Sequence, residues 1–346
     1  MNPRAEVVEL ALFDPPRQNA AALGGSKEAL LAGSRLNVVN VADFHAGGAA
    51  RARFIDAVGS SLEEIGFFAV EGHDVTPELV ARAYDCAKRF FALPEGDKAR
   101  YFDAAIKGQR GFTPFGREHA KDSPAPDLKE FWQVGRPDVP DEHPVHRRYG
   151  PNRWPDDVVP GFGAAMTELY TRLDRLGGLL LEACAAYIDE PAHRFSEMAR
   201  EGDTILRVIH YPPVPEGMEG SVRAAAHEDI NLITLLCGAT ASGLELKERD
   251  GSWRAIESGG EQIVVDAGDM LQNVTNGLYR STTHRVMNPP DSREERFSIP
   301  CFIHPRGEAD LTPLSSCVAR TGGEARYPSI TAGAYLDERL REIGLG

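Results

Sequence analysis

Apolar residues recur along this chain with two different periods, and each period predicts a different kind of element. Between Phe162 and Tyr187 they fall at 162, 166, 169, 173, 176, 180 and 184, the three-to-four spacing that lines one face of an α-helix. A single long helix over 162–187 follows, suited to support a sheet. Two further helices are predicted over Ala49–Glu64 and Pro77–Phe91, the second opened by a proline that fits a first helical turn. Short β-branched and apolar runs instead predict strands at Val38–Val41, Phe67–Val70, Ile230–Leu236, Gly243–Leu246, Ser252–Ile256 and Gln262–Asp266. Turns at Arg249-Asp250-Gly251 and Ser258-Gly259-Gly260 separate some of these. Gly268-Asp269 reads as the opening of another strand, and His284-Arg285-Val286 lies on the next. Many short strands joined by Gly-rich turns predict a double-stranded β-helix, or jelly roll. The fold class is therefore α+β and β-rich, a jelly-roll core with an N-terminal helical region and a long supporting helix. Residues 107–127 mix Gly, Pro, aromatics and Arg and are expected to be irregular, as a loop bordering a pocket or an ordinary connector.

Composition narrows the classes of function. The chain has 346 residues, 42% of them hydrophobic, enough for a large core. Its formal charge of -14 argues against a nucleic-acid partner, which would require a basic face. The five cysteines (86, 184, 237, 301 and 317) are widely spaced with no C-x-x-C, so free thiols in a reducing, cytoplasmic setting are expected. Cys237 and Cys301 sit in apolar runs and read as small core residues. The N-terminus shows no secretory pattern and no stretch reaches a membrane-spanning length.

The candidate chemistry is concentrated in the C-terminal half. His227-Glu228-Asp229 is followed, 55 residues beyond Asp229, by His284, and then by Arg296-Phe297-Ser298. Two neutral imidazoles and one carboxylate hold Fe(II) on one face and leave the other positions open for a chelating cosubstrate and O2. If the segment is a strand, residues two apart share a face, so His227 and Asp229 point together and Glu228 points away. The same period puts Ser298 beside Arg296, whose guanidinium offers a planar fork matched to a carboxylate. A zinc hydrolase could also be built on His-x-Asp plus a distant His, but Arg296 and Ser298 have no evident task in one. A catalytically silent binding module would not need an intact ligand set. The other histidines are competitors: His143 and His146 lie in an expected loop, His210 on the strand before Tyr211, and His304 at a strand end. None has a carboxylate two residues away in the His-x-Asp manner.

Several segments together resemble the isopenicillin N synthase-like branch of the 2-oxoglutarate/Fe(II) oxygenases. They are Tyr211-Pro212-Pro213, His227-Glu228-Asp229, Gly268-Asp269-Met270-Leu271, Thr275-Asn276-Gly277, Ser281 to Val286, and Arg296-Phe297-Ser298. Glu64-Ile65-Gly66-Phe67-Phe68, Gly72-His73 and Phe90 to Pro94 are similar to that family's N-terminal region, and Ile330 to Leu336 continues the likeness. It spans roughly 36–344, leaving 1–35 as an N-terminal extension, 36–150 as the helical region, and 151–346 as the catalytic core with a C-terminal helix. The resemblance implies His227, Asp229 and His284 as iron ligands, and Arg296, Ser298 and Tyr211 as partners of the distal carboxylate of 2-oxoglutarate. It further implies that Fe(II), 2-oxoglutarate and O2 act on a small-molecule substrate by hydroxylation, desaturation or cyclisation, releasing succinate and CO2. The chain departs from many plant members at Ile209, where they carry Asn. Isopenicillin N synthase keeps a similar Arg-x-Ser without using a 2-oxo acid, so a 2-oxoglutarate-independent oxidase or cyclase is the alternative. Stoichiometric succinate release separates the two.

Overall fold

A computed structural model of the chain describes residues 35–106, 108–116, 129–143, 146, 149–213, 223–238, 243–257, 259–287 and 294–342. In chain order, the N-terminal half contains β1 (Val38–Asn40), α1 (Val41–Ala46), α2 (Gly48–Glu64), β2 (Phe67–Glu71), α3 (Pro77–Phe91), α4 (Glu95–Ala99), β3 (Gly111–Thr113), β4 (Glu130–Val134) and α5 (Phe162–Tyr187). The remainder contains α6 (His193–Ala199), β5 (Ile205–Tyr211), β6 (Ala224–His227), β7 (Ile233–Cys237), β8 (Leu244–Lys247), β9 (Trp253–Ala255), β10 (Ile263–Ala267), α7 (Asp269–Val274), β11 (His284–Val286), β12 (Arg296–Ile303), α8 (Ser315–Arg320) and α9 (Ala332–Glu342). The strands form an eight-stranded sheet, β1-β2-β10-β7-β12-β5-β4-β3, and a four-stranded sheet, β6-β11-β8-β9. Together they make the expected jelly roll.

Period two decides what each face of the larger sheet does. On β12, Phe297, Ile299, Cys301 and Ile303 join the main hydrophobic core, whereas Arg296, Ser298, Pro300 and Phe302 line a cavity. On β5, Leu206 and Val208 join the core while Arg207, Ile209 and Tyr211 line that cavity. The core side is closed by helices. α5 buries the apolar stripe read from the sequence, including Phe162, Met166, Leu169, Leu173, Leu176, Leu180 and Cys184. Gly59 of α2 faces the Tyr187 ring so closely that a Cβ would lie 1.9 Å from it, so a larger residue there would push the two helices apart. An aromatic cluster joins α3 to the sheet, with the Phe90 ring 4.8 Å from Trp132 and 5.6 Å from Phe112; such packing adds to area burial.

Three expectations are corrected. Gly268-Asp269 opens helix α7, not a strand: Gly268 caps it in extended conformation, and Gln272 N–H donates to Gly268 O. The following Met-Leu-Gln are good helix formers, and Asp269 suits a first turn. The stretch 107–127 is not wholly irregular, because Gly111–Thr113 pairs with β4 as an edge strand; residues 107 and 117–127 lie outside the described residues. The strand read over Ile230–Leu236 begins only at Ile233. All five cysteines are free and buried, and no described helix is long and apolar enough to cross a membrane.

Candidate active site

The two sheets meet around a cavity lined by His227, Asp229, His284, Tyr211, Arg296 and Ser298, so the sequence-selected residues share one space. One ligand atom from each of His227, Asp229 and His284 lies within 4.8 Å of the others. The two imidazoles arrive by strand pairing, since His284 on β11 sits directly opposite His227 on β6. Asp229 arrives differently. β6 ends at His227, so the strand alternation expected across 227–229 does not place the carboxylate; a turn does. That turn is fixed from behind by α7, where Asp269 N–H donates to Asp229 O at 2.7 Å and Met270 N–H to Asn231 O at 3.0 Å. Gly268 permits this approach, because a Cβ there would lie 2.4 Å from Asn231 O and 2.8 Å from Asp229 O. Glu228 is exposed and accepts from the Thr283 hydroxyl, outside the cavity.

Hydrogen bonds orient every donor atom inward. His227 Nδ1 lies 2.7 Å from Ala225 O, and His284 Nδ1 lies 3.1 Å from Thr282 O. A carbonyl can only accept, so each Nδ1 carries the proton and each Nε2 lone pair faces the centre. The Nε2 atoms stand 3.7 Å and 3.9 Å from Asp229 Oδ1, too far for a good hydrogen bond and suited to an ion lying about 2.0–2.2 Å from each ligand atom. Thr234 donates its hydroxyl to Asp229 Oδ2 and accepts from Asn231 Nδ2 at 2.8 Å. That arrangement occupies one carboxylate oxygen and leaves Oδ1 for a cation. Burial and the neighbouring His227 lower the pKa of His284 to about 4, keeping it neutral as a metal ligand must be. Two imidazoles and one carboxylate therefore fit a divalent first-row metal with open positions.

Arg296, Ser298 and Tyr211 occupy one side of the cavity. Arg296 is opposite Tyr211 in the β12–β5 register, its guanidinium 5.2 Å from the centre of the tyrosine ring. All three side chains are buried. Ile209, opposite Ser298, also lines the cavity, so an apolar side chain occupies the point of departure from plant relatives. Three further groups carry no signal strong enough to single them out in the sequence. Arg223 is fully buried beside Arg296, donates to Glu294 O, and has its pKa lowered by burial and then by the Arg296 charge. Arg223 is outside the cavity lining, whereas Asp266 and Arg207 are part of it. A strand period extended through β5 and β10 would have placed the last two inward; nothing in the sequence marks Arg223.

The competing histidines lie elsewhere. His210 points to the opposite sheet face, stacked on Phe297 with ring centres 4.6 Å apart, and its Nδ1 is 2.8 Å from Glu130 Oε1. Glu130 in turn accepts from Lys98 Nζ at 2.6 Å. His143 lies 3.7 Å from Glu201. His146 is buried outside the cavity lining. His304, like His284, has its pKa lowered to about 4 by burial, and it does not line the cavity.

Comparison with known proteins agrees with this geometry. Residues 36–157 match the family described as non-haem dioxygenase in morphine synthesis N-terminal, and residues 202–305 match the 2OG-Fe(II) oxygenase superfamily. A 2-oxoglutarate-Fe(II) type oxidoreductase of Aspergillus fumigatus is 33% identical over 303 residues, covering 84% of this chain and 88% of that protein. Among solved structures, a 2OG-Fe(II) oxygenase family protein of Caulobacter crescentus aligns with TM-score 0.80 and 39% identity over 90% of this chain and 99% of its own. A full-length Neurospora crassa protein, solved in complex with alpha-KG, aligns with TM-score 0.78 and 28% identity over 88% of this chain and 96% of its own. The chain belongs to the 2-oxoglutarate/Fe(II) oxygenases, in their isopenicillin N synthase-like branch, and is a 2-oxoglutarate-dependent non-haem iron dioxygenase of small molecules.

Proposed function

We propose that His227, Asp229 and His284 hold the ferrous ion, that Arg296, Ser298 and Tyr211 hold the distal carboxylate of 2-oxoglutarate, and that the rest of the cavity holds the substrate. The observation that carries this reading is the convergence of one atom from each of the three ligands within 4.8 Å, inside the cavity that also contains Arg296. Iron with bound 2-oxoglutarate supplies O2 activation and the oxidative decarboxylation to succinate and CO2 that drives oxidation of a substrate C–H bond. The chain's own work is to orient and to exclude. The carbonyls of Ala225 and Thr282 fix both imidazole tautomers, and Thr234 fixes the carboxylate. Arg296 offers parallel N–H donors to a carboxylate in a buried setting, where a charged pair gains from weak screening. Phe67, Leu236, Val264 and Val286 give the cavity apolar walls that keep water from the reacting centre.

Free, buried cysteines and the absence of a membrane-spanning helix among the described residues support a cytoplasmic location. The net charge of -14 supports small molecules, not nucleic acid, as partners. The family match starting at residue 36 supports reading 1–35 as an extension to the helical region and catalytic core. The test is succinate production with Fe(II) and labelled 2-oxoglutarate. Release that requires both, and that falls by several orders of magnitude in Asp229→Ala, is expected. Undiminished release in Asp229→Ala would remove that residue from the ligand set, and substrate oxidation without succinate would favour the isopenicillin N synthase type.

A further inference from the structure

Asp266 is the least accounted-for group in the cavity. On β10, Ile263, Val265 and Ala267 turn to the core, while Val264 and Asp266 turn to the cavity. Asp266 is 5% exposed, yet no hydrogen bond reaches its carboxyl among the described residues. Its cross-strand neighbours cannot supply one. Thr234, opposite it on β7, donates its hydroxyl to Asp229, and Phe67, opposite on β2, has no donor. A buried carboxyl without partners costs stability unless something else satisfies it. The metal does not, because Asp266 falls outside the group of atoms lying within 4.8 Å of one another. Nor does the distal carboxylate of the cosubstrate, which the reading above assigns to Arg296, Ser298 and Tyr211.

The opposite wall has the reverse character. Arg207 lines the same cavity from β5, three strands from β10 in the order β10-β7-β12-β5. Its guanidinium lies 4.3 Å from the centre of the Phe131 ring and 5.5 Å from that of Phe302, and its Nη2 donates to Gln133 Oε1 at 3.0 Å. Leu236, Val264 and Pro300 form the floor between the two groups. Three strand spacings amount to about 14 Å between backbones, which, less the two side chains, leaves room for one small molecule.

On the reading given under Proposed function, we propose that Asp266 anchors the prime substrate by accepting from an N–H group, with an oxygen function of the same molecule turned toward Arg207. The substrate class is then a small nitrogenous compound with an N–H donor and an oxygen acceptor at opposite ends, such as a cyclic ureide or an ω-amino acid. An apolar hydrocarbon or an acid lacking N–H would leave the Asp266 carboxyl unsatisfied, a defect that sites built to hydrogen-bond a ligand punish strongly.

Matched pairs of probes test this on the whole chain loaded anaerobically with Fe(II) and 2-oxoglutarate: 5-aminopentanoate against pentanoate, uracil against its 1,3-dimethyl form, and thymine against its 1,3-dimethyl form. Each is titrated while the visible metal-to-ligand charge-transfer band is followed. In at least one pair, the N–H compound should perturb the band at a half-saturating concentration about tenfold or more below that of its partner. Asp266→Leu should erase that ratio. Asp266→Asn, nearly isosteric, should retain discrimination for the neutral ureides, whose N–H its carbonyl can still accept, and lose it for the ammonium of 5-aminopentanoate. Equal or better binding of the N–H-free members, silence of every probe, or a ratio that survives in Asp266→Leu would overturn the proposal. Absence of the band before any probe is added would instead remove the reading on which it rests.

Discussion

Thr234 makes one hydrogen bond that decides how Asp229 can act. By occupying Oδ2 it turns Oδ1 toward the two imidazoles, so Thr234→Val should weaken Fe(II) binding by about 10–100-fold while the fold persists. Equilibrium titration of Fe(II) under anaerobic conditions measures this; unchanged affinity would show the hydroxyl to be incidental. Asp266 gives a second residue-scale prediction, read on stability and independent of substrate. Burial, and then the Asp229 charge, raise its pKa well above the ordinary carboxylate value of 3.8. The unfolded chain therefore releases this proton at lower pH than the folded chain does, and the contribution to stability falls as pH rises from 3.8 toward the folded value. Asp266→Asn removes that loss, so its advantage over the parent in the metal-free state should widen as pH rises above 3.8. Thermal unfolding at several pH values checks the trend, and a constant gap would contradict it.

At the scale of elements, α7 and the β6 turn form one device. Asp269 and Met270 N–H groups hold the 229–231 carbonyls, and Gly268 is the point of closest approach. Gly268→Ala should therefore displace Asp229 and reduce Fe(II) affinity more than it reduces the melting temperature; the reverse pattern would show a purely structural glycine. The pairing of a strand and a helix here also explains what can be read in advance. The helices expected over Pro77–Phe91 and Phe162–Tyr187 are both present, the first because a proline marks its opening turn and the second because a long amphipathic face leaves little choice. The stretch after Gly268 misleads because glycine followed by aspartate suits a turn before a strand as well as a helix cap, and only the contact with 229–231 decides between them. His227, Asp229 and His284 are legible as a set, but not the turn that brings Asp229 in. Lys98, Glu130 and His210 are not legible as a network, since they join α4, β4 and β5 through long-range contacts. Both Lys98 and Glu130 are buried, so Glu130→Ala, which leaves the ammonium only the exposed Glu95 carboxylate at 3.2 Å, should destabilise the protein by about 1–3 kcal/mol, as denaturant unfolding would reveal.

Across the whole molecule, two sheets enclose a cavity that carries the charged and polar groups, and a helical layer carries most of the apolar core. The price of that arrangement is a set of buried titratable groups, some in the cavity, such as His284, and some outside it, such as His304. His284 and His304 both have folded pKa values of about 4 against 6.5 in the open chain. Unfolding therefore takes up protons in this window, and stability present above pH 6.5 is lost as pH falls toward 4. The metal-free protein should show this decline in melting temperature, and His284→Leu should flatten it by up to about 1.4 kcal/mol per pH unit. An unchanged slope would show that His284 is not held neutral by the fold.

The central claim is that one cavity brings a ferrous ion on His227, Asp229 and His284 together with 2-oxoglutarate on Arg296. Anaerobic addition of Fe(II) and then 2-oxoglutarate, followed by visible absorption, tests it most directly. A charge-transfer band should appear with a single ferrous ion per chain, vanish in Asp229→Ala, and require much higher 2-oxoglutarate in Arg296→Leu. No band in the parent protein, or a band of full intensity in Asp229→Ala, would contradict the account.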